Sequence, residues 1–209
     1  MLNNLSMKNS VSEWIPQKAN DCECKRVLAL ADSPQALEQK KNLVAGFRIL
    51  AQMGLSSGLY QGLYGHISLR VPHAPDYFWV NQFGTSFSEI EVGDLVLISK
   101  DGFVIEEEKE YNSAAFFIHS TIHAKRPDVH CVVHTHPAAG CAFSALGLLL
   151  EPIDQVGCIF FEEHALHSEY TGIVNEQKQG DDLVASLGSK RALILSNHGL
   201  LTVASTISW

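Results

Sequence analysis

The chain has 209 residues, 46% of them hydrophobic, which suits one soluble globular domain with a sizeable core. Its 15 basic and 23 acidic side chains give a net charge of −8 with no local Lys/Arg cluster, a balance that disfavours nucleic-acid and anionic-membrane partners. No apolar stretch approaches the roughly 18 residues of a spanning helix. No secretory leader opens the chain, and the five cysteines form no disulfide framework, so a cytoplasmic protein is expected.

Residues 1–32 carry no sustained periodicity and read as a flexible N-terminal arm, leaving 33–209 as the folded domain. Within the arm, Cys22-Glu23-Cys24 lacks the second pair that a zinc-finger site would need. Ser33-Pro34 supplies a cap and a first-turn proline for a helix that runs through Leu43, Val44, Phe47, Leu50 and Ala51 and stops at Gly54. The glycine-rich stretch from Gly58 to Gly65 predicts a loop.

Strands are expected at Ile67, Leu69 and Val71, which alternate with polar partners, then at Tyr77–Val80 and Leu95–Ile98. Asp101-Gly102 turns the third strand back into Phe103-Val104-Ile105. A helix follows from Ser113 to Lys125, ended by Arg126-Pro127, and the apolar run Val129–Val133 predicts a strand. Pro137 opens a small-residue helix through Ala145, Val156–Phe161 reads as strand, and Asp181–Leu187 is the middle of a helix. Ala192–Leu195 and Leu200–Val203 are the last strands, and an exposed edge there would call for cover from the arm or another subunit. Helices flanking a mostly antiparallel sheet, an α/β or α+β domain, result.

Chemistry concentrates at two strand ends. His134-Thr135-His136-Pro137 closes one apolar run, and Asn197-His198-Gly199 follows another. Side chains two apart on a strand share a face, so His134 and His136 can close on one metal ion while His198 supplies a third imidazole. Three neutral nitrogens and an open position are the usual build of a catalytic metal site. His119 and His123, four apart on a helical face, form a rival pair, but Ser120 stands where the H-E-x-x-H pattern needs glutamate, so they read as packed or hydrogen-bonded. His66 follows the glycine loop and either approaches the metal pocket or packs away from it.

The runs Gly65-His66-Ile67-Ser68-Leu69-Arg70, Arg126-Pro127-Asp128-Val129, Val132-Val133-His134-Thr135-His136-Pro137 and Asn197-His198-Gly199-Leu200 resemble the class II aldolase/adducin family. Order and spacing match from about Gln35 to Val203, short of the family's C-terminal helices. The resemblance implies a three-layer α/β/α sandwich around a central, mostly antiparallel sheet, assembled as a homotetramer. It also implies a divalent ion on His134, His136 and His198, zinc by default and ferrous iron or another divalent metal otherwise. Relatives include sugar-phosphate aldolases, a thioribulose-phosphate dehydratase, iron-dependent oxygenases or decarboxylases of aromatic oxo-acids, and the head domain of adducin.

One departure is chemical. The aldolases carry a glutamate four residues before the histidine that aligns with His119, and that position here is Ala115, which can neither ligate a metal nor accept a proton. The asparagine of the aldolase phosphate site is replaced by His66, so Gly84, Thr85, Asn112 and Ser113 are the remaining candidates, with His66, for contacting substrate. Glu162, Glu163 and His164 follow a predicted strand, and either they replace the missing base and acid or the carboxylates are solvated loop charges. The expected activity is carbon–carbon cleavage or decarboxylation of a small hydroxy- or oxo-acid, through an enediolate-like intermediate stabilised by a Lewis-acidic ion. The alternative is a non-catalytic, adducin-head-like module with a vestigial site.

Overall fold

The computed structural model describes residues 21–56, 64–105 and 109–207. Five helices and seven strands alternate along it: α1 (Asp21–Ala31), α2 (Pro34–Gln52), β1 (His66–Val71), β2 (Ala74–Asn81), β3 (Leu95–Ser99), α3 (Ser113–Lys125), β4 (Cys131–Thr135), α4 (Ala138–Ser144), β5 (His164–His167), α5 (Gln177–Leu187), β6 (Ala192–Leu195) and β7 (Gly199–Ala204). The strands form one sheet in the order β3-β2-β1-β4-β7-β6-β5, antiparallel except for the parallel pair β5 and β6. Helices α1 and α2 cover one face through Val27, Leu43 and Phe47, and α3 and α5 cover the other through Ile118, Ile122 and Leu183. This is the expected three-layer α/β/α arrangement.

Local chemistry accounts for most boundaries. The Ser33 hydroxyl accepts from the Ala36 amide to cap α2, and the Asn112 side chain accepts from the Ala114 amide to cap α3. Strand β1 divides its residues by the pleat: Ile67, Leu69 and Val71 enter the core on the α2 face. The alternate residues are polar yet also buried, since His66 is 2% exposed and Ser68 not at all. Arg70 closes the same row by donating from Nη2 to the carbonyls of His123 (2.8 Å) and Val129 (2.9 Å), which ties the end of α3 to the sheet.

Three expectations change. Residues 21–31 of the expected arm form helix α1, docked by buried Val27 and Ala31 and by a hydrogen bond from the Tyr77 hydroxyl to Glu23. Residues 1–20, and 58–63 of the expected glycine loop, lie outside the described residues. Val156–Phe161 is not a strand: Gly157–Phe160 forms a 3-10 turn, with Val156, Ile159 and Phe161 exposed. The adjoining strand is β5, a short edge strand with no fully buried residue. Finally, β7 is not an edge; it lies between β4 and β6 and is paired on both sides. No helix among the described residues is long and apolar enough to cross a membrane.

The contact between α3 and α5 depends on Gly180, where a Cβ would stand 2.4 Å from the Phe117 carbonyl oxygen and 2.7 Å from the Thr121 hydroxyl. Gly180→Ala must push the helices apart. It should lower stability by about 1–3 kcal/mol, seen as a lower urea midpoint with an unchanged slope; an unchanged midpoint would show that the contact yields freely.

Candidate metal centre

Strand β4 positions the site. Its residue His134 pairs with His66 of β1 on one side and Leu201 of β7 on the other. His136 lies just beyond the strand end, where its backbone N–H donates a hydrogen bond to the Ser56 carbonyl at 2.9 Å. His198 sits in the three-residue turn between β6 and β7, where Leu195 pairs with Gly199. Asn197 takes the left-handed backbone conformation there, φ 58°, which asparagine tolerates better than most residues. Gly199 is required at the crossing, because a Cβ would come within 2.6 Å of the Thr135 carbonyl oxygen and 2.8 Å of the His136 ring.

One nitrogen from each of His134, His136 and His198 lies within 4.8 Å of the others. His134 Nδ1 is 2.9 Å from the Leu200 carbonyl, which only accepts, so Nδ1 carries the proton and Nε2 presents a lone pair. That Nε2 is 3.3 Å from His198 Nε2. Two imidazole nitrogens bound tetrahedrally at about 2.0–2.1 Å would stand about 3.4 Å apart, so the spacing fits a shared cation. His136 Nδ1 is buried with no hydrogen-bond partner, which adds a nitrogen in want of one. The donor set is all imidazole, suited to zinc, iron, copper or nickel rather than to magnesium or calcium.

Burial sets the protonation. It holds His136 down to about 4, with His198 adding to the effect, and lowers His198 as well. His134 is driven well below its ordinary value by burial, then by His66, His136 and His198. Neutral rings are the form that binds metal.

The other candidates fall into two groups. His66 reaches the centre, its ring centroid 4.9 Å from that of His134. Gly84 and Thr85 follow β2, and Asn112 and Ser113 begin α3, joined to the β2 end by the bridge between Gln82 and Tyr111. Register places them toward the end of the sheet where His66 and His134 lie, but not in the wall of the cavity at the triad. Glu162, Glu163 and His164 are not brought to the triad. His164 lies in the strand row that passes through Ala192 and Thr202 to Val133, three strand spacings or about 14 Å away. Both its nitrogens are engaged by backbone, Nδ1 with the Phe160 carbonyl and Nε2 with the Leu150 amide. Glu163 pairs with Arg191 at 3.0 Å, and Glu162 is exposed with φ 57°. Within this chain, therefore, this group braces a loop and lies away from the triad.

The cavity wall is built from residues that share no motif in the sequence. A cavity of about 350 Å³ opens on His136 and His198 and is lined by Tyr64, Cys141, Tyr170, Gly172 and Ile173. Tyr64 meets the His136 ring edge-on at 6.3 Å, and Tyr170 meets His198 at 6.5 Å. No Lys or Arg lines it among the described residues. Ala115 is fully buried in the apolar core on the α3 face.

The comparisons agree with this architecture. Residues 41–208 match the model of the Class II Aldolase and Adducin N-terminal domain. The chain belongs to that family. It is 37% identical over 161 residues, 77% of its length, to 4-hydroxy-3-prenylphenylpyruvate oxygenase/4-hydroxy-3-prenylbenzoate synthase of Streptomyces roseochromogenus subsp. oscitans, spanning 57% of that protein. An aldolase II superfamily protein from Pseudomonas syringae superposes with a TM-score of 0.77 at 38% identity, covering 84% of this chain and 69% of that one. The L-fuculose 1-phosphate aldolase from Glaciozyma antarctica PI12 gives 0.73 at 36% identity, with 87% and 72% covered.

The depressed imidazoles make a pH prediction. His123 is held down to about 3 and His136 to about 4, against 6.5 for a free imidazole. Between about pH 6.5 and 4 the unfolded chain binds more protons than the folded one, so stability falls as pH falls. The urea midpoint of the metal-free protein should drop steadily from pH 7 to pH 5; a flat midpoint would contradict the burial of these rings.

Proposed function

We propose that this class II aldolase-like domain is a divalent-metal-dependent enzyme acting on a small hydroxy- or oxo-acid, by carbon–carbon cleavage or decarboxylation. The observation that carries the reading is the convergence of His134, His136 and His198, from two separate strand ends, with lone-pair geometry that fits one cation. When bound, such an ion supplies Lewis acidity to a substrate oxygen. Zinc is the first ion to test. Ferrous iron is the second, because the similar Streptomyces protein is named an oxygenase and oxygenation calls for a redox-active centre.

The residues of the cavity support a narrower substrate class. Among the described residues no Lys or Arg lines the cavity to meet the phosphate of a sugar phosphate. Tyr64, Tyr170 and Ile173 instead offer aromatic and aliphatic surface, which supports an apolar or aromatic acid. The wall orients such a molecule and excludes water, while the Leu200 carbonyl holds the His134 ring in its metal-binding tautomer. The apolar residues exposed between 146 and 161, among them Leu148, Ile153 and Phe161, support self-association, with a homotetramer expected.

His136→Ala removes one nitrogen of three. The purified protein should bind about one zinc or iron per chain and the variant less than a tenth of that by elemental analysis, with metal-dependent turnover of aromatic oxo-acids lost in parallel. Full metal content in the variant would overturn the assignment. Tight metal with no turnover of any hydroxy- or oxo-acid would favour the adducin-like module instead.

A further inference from the structure

Behind the triad, β1 and α3 enclose a row of buried polar groups that metal binding alone does not explain. His123 Nδ1 faces the Val129 carbonyl at 3.4 Å, and its Nε2 is 2.8 Å from the Ser68 hydroxyl. The same hydroxyl is 2.5 Å from His119 Nδ1, and His119 Nε2 is 2.7 Å from His66 Nδ1. The four side chains are at most 3% exposed. His66 lies between the two groups, its ring centroid 4.7 Å from that of His119 and 4.9 Å from that of His134.

Proton placement in this row follows from one end. A carbonyl can only accept, so His123 carries its proton on Nδ1 and its Nε2 must accept from the Ser68 O–H. The Ser68 oxygen then accepts from His119 Nδ1–H, which leaves His119 Nε2 to accept from His66 Nδ1–H. Each neutral ring is thereby forced into the Nδ1–H tautomer, and the last has a bare Nε2. His66 is outside the group of nitrogens close enough to share an ion. Its lone pair is therefore an acceptor beside the triad and not a fourth ligand.

We propose that His66 Nε2 accepts the hydrogen bond of a substrate hydroxyl held at the triad, and that Val129, His123, Ser68 and His119 are positioning residues that fix it in that tautomer. This rests on the reading of the triad as a metal-dependent active site. It assigns a function to the buried polar row on β1, and it supplies an acceptor to a site whose Ala115 offers none. Hydroxy-acids are the ligands so recognised; their analogues without the hydroxyl are not.

Tautomers are read by two-bond nitrogen–proton correlation spectra of the labelled protein. In the wild type, His66, His119 and His123 should each show a protonated Nδ1 and an unprotonated Nε2; a protonated Nε2 on His66 would overturn the proposal with no variant needed. Ser68→Ala breaks the row and should release His66 into a tautomer mixture, whereas His119→Gln, whose amide oxygen can accept from His66 Nδ1–H, should keep it fixed. On zinc-loaded protein, Ser68→Ala should weaken mandelate about tenfold and leave phenylacetate, which lacks the hydroxyl, unchanged. Equal effects on both acids, or none, would also overturn the proposal. Zinc content is measured in the same samples: a wild type that binds no zinc sinks the metal-site reading, while the tautomers still decide the relay.

Discussion

The register of β4 between β1 and β7 is the constraint on which the site depends. It sets His66 and Leu201 on either side of His134 and brings the Leu200 carbonyl to the His134 ring. A slip of one residue would exchange the faces of every side chain on the strand. The core opposes that slip, because Val132 faces α3 and α5 while Cys131 packs toward α1 and α2. Hydrophobic pairing thus fixes a polar geometry that the histidines could not hold alone.

Two carbonyls do similar work at different distances. That of Leu200 acts directly on His134, and that of Val129 acts through three intervening side chains on His66. Both convert an imidazole, which exchanges between two tautomers in water, into a group with its lone pair on a defined atom. Burial contributes by keeping the rings neutral, and it is also why the row must be complete: an unpaired ring nitrogen there would cost about 1–3 kcal/mol. Arg70 closes the far end by holding the carbonyls of His123 and Val129 together. The run from His66 to Arg70 is thus one device, with its apolar residues in the α2 core and its polar ones in the relay.

Much of this was legible in the sequence. The cap Ser33, the period of α2 and α3, and the histidines at two strand ends all rest on local chemistry, and local chemistry can be read from order alone. What failed was non-local. Val156–Phe161 has the composition of a strand but turns its side chains outward, and β5 lacks an apolar pattern because it lies on an edge with only partly buried residues. Helix α1 buries little beyond Val27 and Ala31, too few to make a periodic stripe. The link from His66 to His123 needs β1 beside β4 and α3 across both, so no spacing announces it. Glu162 and Glu163 drew attention by chemistry, but β5 lies three strands from β4.

On this reading three imidazoles share one cation. A crystal structure of the metal-loaded protein, with anomalous data at the zinc and iron edges, tests it most directly. A single peak per chain is expected within about 2.2 Å of nitrogens from His134, His136 and His198. A peak on other residues, or His198 turned away from the other two rings, would contradict it.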